Sequence, residues 1–408
     1  MSLVAVIDVK GWCPGVLRPM QSGDGLLARV RPWCGALRLD EAKGLADAAE
    51  RFGNGHIDLT RRANLQIRGL SDASVRGLQD AVDRLGLVDR DAEVEAGRNI
   101  MVSPLAGIDP AEADIRPIAG TLADLLARDT GLQRLPSKFG FLVDGGGPVS
   151  IAGERADISL KALGQTKAAG MAVGLDTPAG TDWVGSTSID EAADVAASIA
   201  RIFIGLAQEQ RRLRDLGDGP YRRLRAIVRK GLGPVGIPSV VSRRLIGSKG
   251  SVVGVAAPFG RLEAHQLRSL AGLAKEAGAT DVRLSPWRAL YVGARDAAAA
   301  QALVTGAHDI GLIIDASDPI LRIDACPGAP ACRSSSVDTR RTAGRLAALP
   351  FTGSIHVSGC AKGCARSAPA DLVLVGEKGR YGVIHNGNAR DLPRRIVDPN
   401  EAGVLVDV

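Results

Sequence analysis

The order of predicted elements repeats once along the 408-residue chain, and this repeat constrains the fold more than any other feature. Each copy shows a strand pattern, a helix pattern, two strand patterns joined by a short turn, and a second helix pattern. The segments of the first copy are 25–30, 40–51, 56–60, 64–68 and a helix to residue 85 capped by Ser71. The segments of the second copy are 251–256, 262–277, 281–284, 289–292 and 296–307. This order is typical of a ferredoxin-like unit, so the sequence predicts an internally duplicated α+β fold.

The repeat continues beyond these two half-domains. Cys326-Pro327 stands where the first copy has Ser103-Pro104, and the strand pattern of 355–360 stands where the first copy has 141–146. Two copies of one unit leave a cleft between them, and ligand sites favour such interfaces. We therefore predict two half-repeats, each followed by a larger domain, the first of which carries a basic connector. The predicted boundaries are 1–88, 89–244, 245–308 and 309–408.

Four of the six cysteines lie in two tight pairs, both in the second copy. Cys326 and Cys332 form C-x5-C, and Cys360 and Cys364 form C-x3-C. Four thiolates complete a [4Fe-4S] cubane, whereas paired zinc ligands usually have about two to four residues between them. The spacing therefore favours one [4Fe-4S] cluster, with these four metal ligands, over a zinc site or buried free thiols.

The remaining motifs are expected to be structural. Cys13 and Cys34 lie outside the paired motif, and we predict packed thiols rather than ligands. His356 is predicted to be a hydrogen-bonded histidine near the metal site rather than a ligand. The G-x-G-x-x-G match at 231–236 contains Pro234 and no acidic residue follows at the required distance, so we predict a connector rather than a nucleotide site. Electrons from a nicotinamide would then arrive through a partner protein.

The composition limits the kinds of ligand that the protein is expected to bind. Lysine and arginine number 51 against 45 aspartate and glutamate, which suggests an acidic small molecule or nucleic acid. Aromatic residues make up only 3% of the chain, which disfavours a stacking platform for single-stranded nucleic acid. A basic iron–sulfur module that binds nucleic acid is therefore the least favoured alternative. The sequence lacks a membrane-length apolar run and a signal peptide, so we expect a cytoplasmic protein without a membrane partner.

The two cysteine pairs resemble the cluster signature of the nitrite and sulfite reductase superfamily, and the resemblance covers nearly the whole chain. It implies a nitrite/sulfite reductase-like fold in which ferredoxin-like half-domains accompany iron–sulfur and tetrapyrrole-binding domains. In this family the cubane sits against a tetrapyrrole. The last cysteine of the motif also bridges the cluster to sirohaem iron, and Cys364 occupies that place.

Three first-copy segments resemble the anion-binding segments of the reductases. They place Arg62, Arg98 and Lys138 at the family's basic positions. Guanidinium groups bind carboxylates in two places at once, so we predict that these residues line the cleft and hold the acetate and propionate groups of a tetrapyrrole. Reductases follow the lysine and phenylalanine with a Lys or Asn that helps to grip the oxyanion. Gly140 stands there in this chain and offers no donor side chain.

Two activities within the family fit these residues. The first is oxygen-dependent hydroxylation of precorrin-3A with lactone formation, in aerobic cobalamin biosynthesis. It implies a precorrin substrate, dioxygen and an external electron-donor protein, and a non-haem iron is one candidate for the oxygen-activating centre. The alternative is reduction of sulfite or nitrite with sirohaem. Gly140 and the short chain favour the first activity, and the sequence assigns no catalytic residue.

Overall fold

The structure is a computed structural model that describes residues 12–239 and 244–401. Within these ranges the strands form four five-stranded sheets. The elements of the first copy are β1 Met20–Ser22, β2 Gly25–Val30, β3 Ala36–Arg38, α1 Leu39–Phe52, β4 His56–Leu59, β5 Leu65–Leu70, α2 Asp72–Arg84, α3 Ala92–Gly97, β6 Ile100–Val102, α4 Arg116–Arg128, β7 Phe141–Asp144, β8 Ile158–Ala162, β9 Met171–Thr177, β10 Gly180–Thr187, α5 Ala192–Leu206 and α6 Asp218–Arg229.

The second copy follows the same order but, in the part of the chain that the structure describes, lacks counterparts of α3, α5 and α6. Its elements are β11 Gly247–Lys249, β12 Val252–Ala256, β13 Arg261–Glu263, α7 Ala264–Glu276, β14 Asp281–Leu284, β15 Ala289–Gly293, α8 Ala297–Asp309, β16 Ile323–Ala325, α9 Thr339–Ala347, β17 Ile355–Ser358, β18 Ala370–Glu377, β19 Arg380–Gly387 and β20 Arg395–Val397. Within the described residues, no helix is long and apolar enough to cross a membrane.

The two ferredoxin-like units exchange a strand. The first sheet has the order β1-β2-β5-β4-β13, and the second has the order β11-β12-β15-β14-β3. Leu262 of β13 therefore pairs with Ile57 of the first copy, and Leu37 of β3 pairs with Val282 of the second copy. Apolar side chains from both units form one continuous core, in which α1 packs against α7. The halves are thus joined through their backbones as well as through their side chains.

The backbone conformation is also the same at equivalent positions of the two copies. Ala63 and Arg288 occupy the same place in the turns between β4 and β5 and between β14 and β15, with φ of 52° and 60°. Cys34 and Phe259 precede the exchanged strands, with φ of 51° and 53°. Left-handed φ values are uncommon in residues other than glycine. Their recurrence at matching places confirms the predicted duplication.

The two larger domains share one sheet topology. Their orders are β10-β9-β8-β7-β6 and β16-β17-β18-β19-β20, and in each sheet two successive parallel pairings are followed by two antiparallel ones. Helices α4 and α5 contact each other and the first of these sheets, and α9 contacts the second. In such sheets, ligands bind beyond the carboxyl ends of the parallel strands. The loops after β6 and β7, and after β16 and β17, are therefore expected to carry ligand-binding residues.

Several local predictions are confirmed. Strand β2 has the predicted bounds, the Ser71 hydroxyl accepts a hydrogen bond from the Ser74 amide, and Pro117 lies in the first turn of α4. The apolar spacing of 189–214 is typical of one long helix, but α5 ends at Leu206. The Leu213 amide donates to Asp157 at 2.7 Å, which draws the chain out of the helical path. The basic segment predicted as a connector contains α6, whose apolar side chains face the core.

Candidate functional site

The four paired cysteines meet at one end of the β16–β17 sheet. Cys326 and Cys332 lie on the loop after β16, and Cys360 and Cys364 lie on the loop after β17. Because β16 and β17 are parallel neighbours, their loops leave the same edge. Burial raises the pKa of the Cys364 thiol to about 11, and the charges of the other three cysteines add to the shift. The thiols therefore form one cluster of side chains.

The backbone around Cys326 is shaped for a sulfur-rich ligand. The Gly359 amide donates to Cys326 Sγ at 3.2 Å, and such hydrogen bonds are typical of cluster sites. A Cβ at Gly359 would lie 2.3 Å from Ser335 Oγ, so only glycine fits there. Gly328 and Gly363 have φ of 68° and 61°, as the tight loops require.

Four thiols on two neighbouring loops match the ligand set of a [4Fe-4S] cubane. Among the described residues, no three His, Cys, Asp or Glu side chains are close enough together to hold one metal ion. A cubane takes one thiolate at each of its four irons and therefore holds its ligands further apart than a tetrahedral zinc does. The donor set, the amide donor and the loop geometry all fit a [4Fe-4S] cluster.

The first copy keeps the same cradle with different chemistry. The Gly145 amide donates to Ser103 Oγ at 2.9 Å, at the place where the second copy has Gly359 and Cys326. Glu112 fills the adjoining space, since a Cβ at Gly145 would lie 2.5 Å from its Cγ. Neither carboxylate oxygen of Glu112 has a hydrogen-bond partner within the described chain. Burial, together with the charges of Asp144 and Asp109, raises the pKa of Glu112 to about 8 against the opposing effect of the nearby Ser103 hydroxyl.

The guanidinium group of Arg98 already has partners within the protein. Its guanidinium donates to both oxygens of Asp89, at 2.8 Å for the closest contact, and to the Arg31 carbonyl at 2.9 Å. It also stacks over the Trp33 ring at 3.8 Å. Only 6% of Arg98 is exposed. A ligand carboxylate would have to displace Asp89, and the arginine's position therefore favours a structural role.

The structure brings the Arg62 side chain next to the backbone of Lys138. Arg62 Nη1 donates to the Lys138 carbonyl at 3.4 Å, and Arg212 donates to the same oxygen. No carboxylate in the described ranges forms an ion pair with Arg62 or with the Lys138 ammonium group. Burial lowers the pKa of Arg62 to about 10, and the neighbouring Arg212 adds to this shift. Arg62 is thus a largely desolvated cation without a fixed counter-ion.

Gly140 lies beside Arg62, at a position where a side chain could be added without a steric conflict. A Cβ at Gly140 would lie 3.5 Å from the Asn99 carbonyl oxygen and 3.9 Å from Arg62 Nη1, which are ordinary contact distances. The Gly140 amide donates to Asp157 at 2.8 Å, so the backbone itself is held. Gly140 therefore leaves the space beside Arg62 free of a side chain, while the Asp157 hydrogen bond holds its backbone in place.

A larger cavity of about 430 Å³ lies where the two copies meet. Its charged residues are not among those that the sequence predicts to bind substrate, although Arg288 lies in the turn between β14 and β15, which is equivalent to the turn between β4 and β5. Two carboxylates lie among its arginines: Glu154 is 3.7 Å from Arg61, and Asp324 is 3.0 Å from Arg366. The lining residues are Arg61, Gly153, Glu154, Arg244, Pro286, Trp287, Arg288, Leu321, Asp324, Arg366 and Ala368.

This cavity borders the second cysteine loop. Arg288 Nη2 donates to the carbonyl of Ala365, the residue after Cys364. His356 is buried on β17, and its Nε2 has no hydrogen-bond partner among the residues described. Burial lowers the pKa of His356 to about 4, so the imidazole is neutral at pH 7. The cavity and the second cysteine loop are therefore neighbours, linked by the hydrogen bond of Arg288.

Comparison with known proteins agrees with this geometry. The family model of the nitrite/sulfite reductase ferredoxin-like half domain matches residues 18–85 and 246–305. The structure of the Mycobacterium tuberculosis NirA protein superposes with a TM-score of 0.76 over 94% of this chain and 79% of that chain, at 22% identity. Fold and site together define an enzyme of the nitrite/sulfite reductase superfamily.

Relatives with higher identity narrow this class. A precorrin-3B synthase from Sinorhizobium sp is 36% identical over 97% of this chain and 86% of its own length. The chain therefore belongs to the precorrin-3B synthase family. A ferredoxin–nitrite reductase of Synechococcus elongatus is 26% identical over 90% of this chain and 79% of that protein. A sulfite reductase [ferredoxin] 1 of Mycolicibacterium paratuberculosis is 26% identical over 89% of this chain and 71% of that protein.

Proposed function

We propose that the protein is an oxygen-dependent hydroxylase that converts precorrin-3A into precorrin-3B with lactone formation. The observation that carries this proposal is the arginine-lined cavity of about 430 Å³ beside the cysteine loops. A precorrin presents several acetate and propionate groups, and guanidinium groups bind carboxylates through paired, charge-assisted hydrogen bonds. The 36% identity to a precorrin-3B synthase supports the same substrate.

The cationic residues divide into two roles. Arg62 and Lys138 form no ion pair within the described residues, so they offer positive charge to substrate carboxylates. Arg61, Arg288 and Arg366 already contact Glu154 or Asp324, and these carboxylates hold the arginines in a defined arrangement around the ring. We assign Arg98 to the support of the first copy, because its guanidinium is occupied by Asp89.

We assign a [4Fe-4S] cluster to Cys326, Cys332, Cys360 and Cys364. When bound, such a cluster transfers single electrons. Incorporation of one atom of dioxygen into the precorrin, with release of the other as water, consumes two electrons and two protons. An external electron-donor protein would supply those electrons, since the glycine-rich segment at 231–236 follows α6 rather than a strand. The oxygen-activating centre is left unassigned.

The absent side chain at position 140 supports a bulky substrate. A donor side chain at this position would point into the space beside Arg62, where it could hold a small oxyanion. Gly140 leaves this small pocket, of about 10 Å³, without such a donor. This feature favours a precorrin over sulfite or nitrite, and it makes the sirohaem-dependent reductase the weaker alternative.

Ligand titration of the purified holoprotein tests the proposal. Precorrin-3A, sulfite and nitrite are added separately, and binding is followed through the visible spectrum. We expect precorrin binding and oxygen-dependent product formation, with no Soret band before substrate is added. A Soret band in the purified protein, with turnover of sulfite or nitrite and no binding of precorrin, would transfer the function to the reductase alternative.

A further inference from the structure

The first copy reaches across to hold the first cysteine loop. Three donors converge on the carbonyl oxygen of Ala331, the residue before Cys332. They are Arg68 Nη2 at 2.7 Å, Ser22 Oγ at 2.7 Å and the Gly23 amide at 3.1 Å. Arg68 is only 2% exposed, and Asp24 accepts from its Nε and Nη2 at 2.9 and 2.8 Å. A loop that carries two candidate cluster ligands is therefore fixed by side chains from the opposite half of the molecule.

Arg68 belongs to a buried group of charges, which we call the arginine hub: Asp58, Arg68, Arg261 and Arg340. Asp58 accepts from Arg261 Nε at 2.9 Å and from Arg340 Nη2 at 2.8 Å, and Arg68 Nε lies 3.6 Å away. Burial alone would raise the pKa of Asp58, but the three arginines hold it well below its usual range. The hub joins β4 and β5 to the exchanged strand β13 and to α9.

The hub also adjoins the cysteine that is most deeply buried. Arg340 follows Thr339, whose Oγ1 donates to the Cys326 carbonyl at 2.6 Å and lies 3.9 Å from Cys326 Sγ. Nε and Nη1 of Arg340 are buried and have no hydrogen-bond partner within the described residues. In the described part of the chain, the three arginines of the hub form ion pairs with Asp58 and with the adjacent Asp24, so three positive charges face two negative ones.

We propose that the arginine hub compensates the negative charge of the cysteine-bound cluster and thereby raises its reduction potential. The inference rests on the proposed assignment of the cluster to the four cysteines. Each electron added to a thiolate-bound cluster makes it more negative, and a buried positive charge nearby favours that reduced state because screening is weak in the protein interior. Arg68 and Arg340 are then positioning residues that act on the cluster without binding it.

Two substitutions that change the charge of the hub in opposite directions distinguish an electrostatic role from simple packing. Arg340→Met removes one positive charge while keeping most of the side-chain volume, and Asp58→Asn removes one negative charge from the same hub. The holoprotein is titrated with reductant, and the reduced cluster is followed by EPR. We expect the midpoint potential to fall in Arg340→Met, to rise in Asp58→Asn, and to stay near the wild-type value in Arg340→Lys. Arg201→Met, which removes an exposed arginine on α5 paired with Asp129, is the control for remote charge.

The outcomes are distinct. If Arg340→Met and Asp58→Asn shift the potential in the same direction, the effect is structural and the inference is overturned. An unchanged potential in Arg340→Met, or a shift no larger than that of Arg201→Met, also overturns it. If Asp58→Asn does not fold, Arg340→Met and Arg340→Lys still decide the question. Wild-type protein without iron and sulfide would instead overturn the cluster assignment, and the inference with it.

Discussion

Cys326 and Ser103 occupy equivalent positions in the two copies, and each accepts a hydrogen bond from the amide of the first glycine after the neighbouring strand. The distances are 3.2 Å to Cys326 Sγ and 2.9 Å to Ser103 Oγ. The same cradle therefore holds a soft thiol in one copy and a hard hydroxyl in the other. Since thiolates and not hydroxyls ligate iron–sulfur clusters, the chemistry of the two halves diverged at side chains while the backbone remained the same.

Removal of one paired cysteine should abolish the cluster. In Cys332→Ala we expect iron and sulfide contents far below those of the wild-type protein, together with loss of the EPR signal after reduction. Cys34→Ser is the matched control, because Cys34 lies outside the paired loops and its Sγ contacts the Arg116 carbonyl at 3.6 Å. Full cluster content in Cys332→Ala, or its loss in Cys34→Ser, would contradict the ligand assignment.

Arg62 and Arg98 should respond differently to replacement by alanine. A charged hydrogen bond to a carboxylate contributes about 1.5–3 kcal/mol, so Arg62→Ala should weaken precorrin binding roughly tenfold to a hundredfold. Arg98→Ala leaves Asp89 buried without its partner, which should cost about 3–5 kcal/mol of stability. Titration with precorrin-3A and denaturant unfolding measure the two effects. Equal losses of affinity without destabilisation would show that Arg98 binds substrate as well.

A side chain introduced at position 140 should compete with the substrate. Gly140→Asn has room to fold, because the nearest atoms lie 3.5 and 3.9 Å from the position of its Cβ. We expect thermal stability within a few degrees of the wild type, as is usual for substitutions without a steric conflict, and weaker binding of precorrin-3A. Unimpaired binding would mean that the substrate does not enter the space beside Arg62.

Glu112 should make stability depend on pH. Its folded-state pKa of about 8 lies above its ordinary value of 4.5, so the folded protein binds the extra proton between these values. The stabilising contribution is present below pH 4.5 and is lost as the pH rises through about 8. Glu112→Gln, which cannot ionise, should be more stable than the wild type at pH 9 and should show a flatter profile. The free energy of unfolding from pH 5 to 9 tests this, and parallel profiles would refute it.

Much of the fold follows from short-range patterns. Strand β2 and the Ser71 cap follow from alternation and from the hydroxyl that satisfies a free amide. The proximity of the two cysteines in each pair follows from their spacing, because two ligands on one short loop must lie close together. The pairing of Arg62 with the Lys138 segment was also within reach of the sequence, since the resemblance placed both in one cleft.

Long-range pairing determined what the sequence could not predict. The end of α5 depends on Asp157, which binds the Leu213 amide from a distant loop. The burial of Arg98 depends on Asp89, and nothing in the local pattern distinguishes that arginine from Arg62. The sequence does not predict helix α6, because its arginines and its glycine and proline residues are typical of a connector. Leu224 and Val228 are nevertheless spaced for the buried face of a helix.

The exchange of β3 and β13 also protects the molecule from self-association. Strand β4 would otherwise end its sheet with unpaired amides and carbonyls, as would β14, and exposed edges of this kind recruit strands from other chains. Each copy instead covers the open edge of its sibling with three residues, at Arg261–Glu263 and Ala36–Arg38. Separating the duplicated halves would expose both edges at once. The copy without the paired cysteines is therefore needed for the integrity of the sheets, independently of catalysis.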